Sequence, residues 1–391
     1  MRWMISEDKL GPDQREVIND LSKNWKNTWI KGHAGSGKSV LLIHLLRDYL
    51  TKNPKSKVCV VVFTRSLVDM LKVAIVELDL EKRFKTNIPV LTIYEFKGKN
   101  IASKYDVVFC DEVQDLPVSF LHLLKANSNQ VIVAGDEAQS IYESVPDFNE
   151  APATPSQIIS SLDAQQKPLF YIYRLTKSMV TMLSRVFSSI LSGKTNIEKI
   201  DVDIKFCKAS KKANEIEFVW NEASKTNRLR SDESVAMLFP QIDMIIDYVN
   251  SVLKLKGAPK WEEVKNNFNK NDFGNLNDHL LRNKIPMMYI GQGYGSLESA
   301  DRNNKIILMT YHSSKGLDFD HVFLPMLGEN FYLPPKKAET LLFVALSRSK
   351  SNLMISYSGN LYQPMNKFVK DIKPFEIDNL RTVDTHGGII I

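Results

Sequence analysis

The chain has 391 residues, a formal net charge of +6 at pH 7, 43% hydrophobic and 25% charged residues. That balance is the one of a folded globular chain with room for two or three domains, and it excludes collagen-like or low-complexity disorder. No apolar run approaches a membrane span, the start Met1–Asp8 lacks a signal-peptide core, and Cys59, Cys110 and Cys207 lie far apart without a C-x-x-C pair, so a cytoplasmic protein with no disulfide framework or structural zinc is expected.

In chain order, the short apolar run Thr28-Trp29-Ile30 leads into Gly32-His33-Ala34-Gly35-Ser36-Gly37-Lys38-Ser39, which opens an apolar stretch with helical spacing. This fits the phosphate-binding pattern G-x-x-x-x-G-K-[ST] in its strand–loop–helix context. Gly32, Gly35, Ser36 and Gly37 let backbone N–H groups wrap phosphates at a helix N-terminus. Lys38 reaches the terminal phosphates and the Ser39 hydroxyl ligates Mg²⁺, so ATP and Mg²⁺ are the expected cofactors. Strand-like runs follow at 58–63, 89–93, 106–110 and 130–134, and helical periodicity covers 38–50, 67–78 and 119–125. This alternation predicts a parallel α/β sheet.

Residues 145–158 are rich in proline and polar residues and read as a linker. A second alternation has strands at 168–172, 235–239, 287–290, 306–310, 321–324 and 353–357, with helices at 176–191, 242–255 and 337–348. Two tandem domains are expected, 1–150 and 151–391, the second with a polar, Asn-rich surface insertion near 256–282. Trp220 and Trp261 read as packing residues, and Lys205, Lys208, Lys211 and Lys212 as a solvated face.

The run Val107–Cys110 ends in Asp111-Glu112. Behind a P-loop, Asp111 can hold Mg²⁺ through water and Glu112 can orient and deprotonate an attacking water. Gln139 follows a third strand and is either a γ-phosphate sensor or an ordinary loop residue. Arg174 and Arg348 sit in the expected second domain, where arginines can act as fingers on transition-state charge, or be surface residues.

Together these segments resemble the UvrD/Rep-type helicases of superfamily 1 over nearly the whole chain. Leu10–Gln14 resembles the Q motif, Phe63-Thr64-Arg65 motif Ia, and Thr92–Phe96 the next nucleic-acid motif. Asp111–Asp115 is similar to D-E-x-Q-D, and Gly135–Tyr142 to G-D-x-x-Q-S-I-Y. Tyr173-Arg174 resembles motif IV, Thr310–Phe319 is similar to T-x-H-x-x-K-G-L-E-F with Asp318 in place of Glu, and Leu342–Lys350 resembles motif VI. The resemblance implies two tandem RecA-like P-loop NTPase domains with parallel sheets and the ATP site in the cleft between the domains. It makes Gln14 the adenine reader, Tyr173 its stacking partner, Arg174 and Arg348 γ-phosphate contacts, and Gly316 and Asp318 part of the nucleotide site. Phe63, Thr64, Arg65, Thr92, Tyr142, Thr310 and His312 become candidate contacts to single-stranded DNA, and 3′→5′ movement is implied.

The departures matter as much. Ser144 stands where the family has an aromatic that stacks on a base, leaving Phe63 and Tyr142 as candidate platforms. Only 97–105 and 292–305 occupy the places of two accessory subdomains, so the chain reads as a bare two-domain motor. Two competing readings remain: a regulatory ATPase that licenses a protein partner such as a nuclease without unwinding, and RNA as the strand.

Overall fold

The computed structural model describes residues 4–99, 104–145, 147–187, 194–195, 201–266, 270–328, 331–334 and 337–382. Two compact units divide between Lys177 and Ser178, with Lys194–Thr195 returning to the first. Each is built on a parallel sheet.

In the first unit, six strands stand in the order β3-β2-β4-β5-β1-β6. They are β1 (Thr28–Gly32), β2 (Val58–Val62), β3 (Val90–Thr92), β4 (Tyr105–Cys110), β5 (Ser128–Gly135) and β6 (Gln165–Leu169). The central strands are continuous β-branched and aliphatic runs because both faces are covered, and every residue of β2 is buried. Helices α1 (Pro12–Lys23), α2 (Lys38–Lys52) and α3 (Arg65–Glu77) carry the sequence between the site-bearing loops. A two-residue strand pair, β7 (Tyr171–Ile172) with β8 (Lys194–Thr195), completes the unit.

The second unit carries seven strands in the order β11-β12-β10-β13-β14-β9-β15. These are β9 (Asp203–Ala209), β10 (Val235–Phe239), β11 (Met287–Tyr289), β12 (Ile306–Thr310), β13 (Phe319–Leu324), β14 (Ser349–Ser358) and β15 (Phe375–Glu376). Two parallel-sheet α/β domains are therefore present, as expected. No described helix is long and apolar enough to cross a membrane.

Three expectations change. The division falls at residue 177 and not near 150, because β6 pairs along its whole length with β1. The 145–158 segment is no free linker: Val145, Ala153 and Ile158 are buried in the first core, and Thr154 caps the helix Pro155–Leu162. Polar composition (Gln165, Gln166, Lys167) hid an edge strand whose one face meets water.

The 256–282 stretch is likewise no simple surface insertion. The helix Phe273–Arg282 buries Phe273, Leu276 and Leu280 in the second core. Trp261 is buried there too, its indole N–H donating to Asn275 Oδ1 at 3.0 Å. Asn277 accepts the Tyr289 N–H at 2.8 Å and donates to the Tyr289 carbonyl at 3.0 Å, closing the edge of β11. Asn277 thus serves backbone groups, and Asn275 a buried side chain. Trp220 is buried as expected. Lys205 and Lys208 lie on β9, a strand paired with β14 that alternation in Asp203–Ala209 should have revealed.

Phe273→Ala is expected to destabilise the chain by about 3–5 kcal/mol through loss of buried surface and an unfilled cavity. Denaturant unfolding measures it; a change within about 0.5 kcal/mol, as for a solvated position, would return 256–282 to the surface.

Candidate nucleotide site and strand-facing loops

The loop between β1 and α2 turns through two left-handed glycines, Gly35 (φ 78°) and Gly37 (φ 74°). A side chain at Gly35 would meet Arg174 Cβ at 2.8 Å, and one at Gly37 would collide with the Gln14 amide. The loop is thus shaped by residues from both ends of the unit. Gln14 accepts the Gly11 N–H at 2.9 Å and donates to the Ser36 carbonyl at 2.9 Å. The backbone N–H groups of Tyr173 and Arg174 both donate to the Gly35 carbonyl, at 2.8 and 3.0 Å. Tyr173 and Arg174 therefore belong to the P-loop's own unit. The expectation that Arg174 lies in the second domain is corrected, for the same reason that moved the boundary.

Asp13, which motif reading passed over, anchors this corner. It accepts from the Tyr173 hydroxyl at 2.5 Å and from the backbone N–H groups of Phe170 and Tyr171 at 2.8 and 3.1 Å. The signal was present in Pro12-Asp13-Gln14, beside the glutamine that drew attention.

Lys38 is buried and donates to the Gly32 and His33 carbonyls at 2.7 and 3.0 Å. Burial lowers its pKa, while Asp136, Glu112 and Asp111 pull it back up. The Ser39 hydroxyl donates to Asp111 at the end of β4. Glu112 follows in a left-handed conformation (φ 56°), and Gln114 donates to its carboxylate. The other end of the Gln114 amide accepts the Asp136 N–H at 2.9 Å, and Gln139 donates to Asp136 at 2.7 Å. A chain of hydrogen bonds, passing through the backbone N–H groups of Glu112 and Asp136, thus joins Ser39, Asp111, Glu112, Gln114, Asp136 and Gln139 across three strand ends. Gln114 and Asp136 are its unanticipated members. Burial, then the neighbouring Glu112, raises the Asp111 carboxyl to about 6.

These residues fit a nucleoside triphosphate with Mg²⁺. Two left-handed glycines lead the chain into the N-terminus of α2, the backbone geometry that suits phosphate, and Ser39 with Asp111 offers the hard oxygen donors that Mg²⁺ prefers.

In the second unit, the motif after β12 and the end of the helix Ala338–Leu346 are knit together. Arg348 is 1% exposed. It donates to the carbonyls of Val344 at 2.8 Å and Leu317 at 3.0 Å and to Ser347 Oγ at 2.8 Å. Leu317 lies between the left-handed Gly316 (φ 79°) and Asp318. Thr310 Oγ1 accepts the Ser313 N–H at 3.2 Å, and burial followed by Lys315 lowers the His312 pKa.

The strand candidates of the first unit occupy strand C-terminal ends. Thr64 and Thr92 spend their hydroxyls as helix caps, accepting from the N–H groups of Leu67 and Glu95. Arg65 is exposed at the start of α3. Phe63 and Tyr142 stack on each other, centroids 4.6 Å apart at 22°. Tyr94 and Phe148 extend this cluster.

Asp111→Asn removes one of two adjacent buried carboxyls. Because the native pKa is raised, the folded state binds the proton more tightly, and this group's contribution falls as pH rises from about 4 to 6. The variant is expected to be more stable than wild type by on the order of 1–2 kcal/mol at pH 7, with the gain vanishing near pH 4. Thermal unfolding against pH checks this; a variant less stable at pH 7 would contradict the electrostatics.

Residues 28–214 match the family described as the viral superfamily 1 RNA helicase core domain, and residues 261–360 match the UvrD-like helicase C-terminal domain. No curated protein matches the chain. A solved structure described as "Structural Basis for DNA Unwinding at Forked dsDNA by two coordinating Pif1 helicases" is similar at a TM-score of 0.47 and 12% identity, covering 91% of this chain and 94% of that one. The chain therefore joins a P-loop, an Asp-Glu strand end and two parallel-sheet units, and is similar to superfamily 1 helicase core and UvrD-like helicase domains over 28–214 and 261–360.

Proposed function

We propose that the protein is an ATP-driven translocase on single-stranded DNA, of UvrD type and with 3′→5′ polarity. The observation that carries the ATPase part is the hydrogen-bonded chain from Ser39 to Gln139 around the buried Lys38. The UvrD-like match over 261–360 supports the type and, through it, the polarity.

In this reading ATP supplies the scissile phosphoanhydride, and Mg²⁺, held by Ser39 and Asp111, neutralises charge on its oxygens. Lys38 leaves the Gly32 and His33 carbonyls for the terminal phosphates. Glu112 takes a proton from the attacking water, and Gln114 holds that carboxylate in place. Gln139 relays phosphate occupancy to the loop that carries Tyr142. Gln14 and Tyr173 hold the adenine, with Asp13 fixing the tyrosine hydroxyl. Arg174, pinned to the P-loop, and Arg348 supply positive charge to the transition state, while Gly316 and Asp318 hold the ribose side. Phe63, Thr64, Arg65, Thr92, Tyr142, Thr310 and His312 meet the strand.

A second reading, a strand-sensing ATPase that licenses a partner such as a nuclease without unwinding, has its own support. Between Gly98 and Tyr105 there is no room for an added subdomain, and between Tyr289 and Ile306 stands only the helix Leu297–Arg302. Surfaces that wedge a duplex have few places to sit.

Lys38→Ala is expected to lower strand-stimulated ATP hydrolysis by about a hundredfold or more. Hydrolysis at the wild-type rate would remove the site assignment. On tailed duplexes, wild type is expected to act on a 3′ and not a 5′ single-stranded tail. Full ATPase stimulation with no strand separation would favour the second reading, and stronger stimulation by a matched RNA would change the strand.

A further inference from the structure

Asp13 is buried in the first turn of α1, just after the capping residue Gly11. Its carboxylate gathers four donors. Oδ1 accepts the Gln14 N–H at 2.9 Å and the Tyr173 hydroxyl at 2.5 Å. Oδ2 accepts the N–H groups of Phe170 and Tyr171 at 2.8 and 3.1 Å. All but the first come from one short segment, 170–174, far along the chain.

That segment begins where β6 ends, at Leu169, which pairs with Gly32. The N–H groups of Phe170 and Tyr171 then turn to Asp13, and those of Tyr173 and Arg174 to the Gly35 carbonyl. The segment is thus held between a carboxylate at the start of α1 and a carbonyl inside the P-loop. Hydrogen bonds to an ionised carboxylate are roughly twice as strong as those to a neutral acceptor. The fit is close at both ends. A Cβ on Gly11 would lie 1.6 Å from the Tyr173 hydroxyl oxygen, and one on Gly35 would lie 2.8 Å from Arg174 Cβ. Arg174 is near enough to Lys38 for its charge to oppose the ammonium. A shift of 170–173 would therefore carry the arginine away from the loop it braces.

We propose that Asp13 is a positioning residue: through the backbone of 170–173 it sets Arg174 against the P-loop, beyond orienting the Tyr173 ring. The proposal rests on the ATPase reading and on Arg174 as a contact to the transferred phosphate. An arginine stabilises transition-state charge only where its geometry is held, and misplacement by about 1 Å can cost on the order of a hundredfold in rate. Loss of Asp13 then shows in kcat more than in KM.

The test uses the full chain and the variants Asp13→Asn, Tyr173→Phe, Arg174→Ala and Asp13→Asn with Arg174→Ala. Amide hydrogen exchange without nucleotide reads the joint itself. Asp13→Asn keeps the side-chain size and one acceptor oxygen, and is expected to speed exchange in 170–174 by about tenfold while β2 stays protected. Strand-stimulated ATP hydrolysis reads the consequence. Asp13→Asn is expected to lower kcat about tenfold and to move KM for ATP by less than about threefold, a larger kcat loss than that of Tyr173→Phe. In the Arg174→Ala background the same change is expected to cost less than about twofold, because the residue it positions is gone. Unchanged exchange in 170–174, protection lost from β2 as well, a kcat loss no larger than that of Tyr173→Phe, or the full loss without Arg174, overturns the proposal. Faster exchange in Asp13→Asn beside a wild type that hydrolyses no ATP upholds the joint and removes the ATPase reading.

Discussion

Lys38 is an ammonium group buried where desolvation works against its charge, and Asp136, Glu112 and Asp111 are what hold that charge in place. Three carboxylates around one lysine leave an excess of negative charge in a poorly solvated space. Asp111 registers the strain, its carboxyl pushed up by burial and by Glu112. The cluster answers with hydrogen bonds: Gln114 donates to the Glu112 carboxylate and accepts the Asp136 backbone N–H, joining the ends of β4 and β5, and Gln139 donates to the Asp136 carboxylate. Such a network suits a site that a divalent cation and a polyphosphate complete together, since each brings the charge that the other lacks.

The fold serves that network by placing loops. All six strands of the first sheet run parallel, so the P-loop, the Asp-Glu pair and the Gly135-Asp136 turn leave at one edge. Residues far apart in the chain then close the corner: Gln14 from α1 braces the loop from one side, and Tyr173 and Arg174 brace it from the other through the Gly35 carbonyl. Gly35 has to lack a side chain because Arg174 lies against it. Phe63, Thr64 and Tyr142 follow strands of this sheet and Thr92 ends one, all at the same edge, and the mutual stack of Phe63 and Tyr142 puts the loop carrying Gln139 in contact with the loop after β2.

The loops after β1 and β4 were legible as strand ends because their motifs place particular residue types at short spacing, Gly-x-Gly-Lys-Ser at one and Asp-Glu at the other. Central strands such as β2 and β10 were legible because full burial leaves a continuous apolar run. What escaped was half-buried or tertiary. β6 and β9 mix charged and apolar residues because one face of an edge or near-edge strand meets solvent. Trp261 and Phe273 sat in an asparagine-rich stretch in which Asn275 holds the Trp261 indole and Asn277 the backbone of Tyr289. The place of Arg174 followed from where β6 pairs, which no local pattern states.

The central claim is that the acidic cluster around Lys38 is built to be completed by Mg²⁺ and a nucleoside triphosphate together. Thermal unfolding with Mg²⁺, with a non-hydrolysable ATP analogue, and with both tests it most directly. The account predicts that the pair raises Tm by more than the sum of the separate shifts, and that Asp111→Asn removes the excess while keeping the shift from the analogue alone. A Tm unmoved by saturating amounts of both together would contradict it.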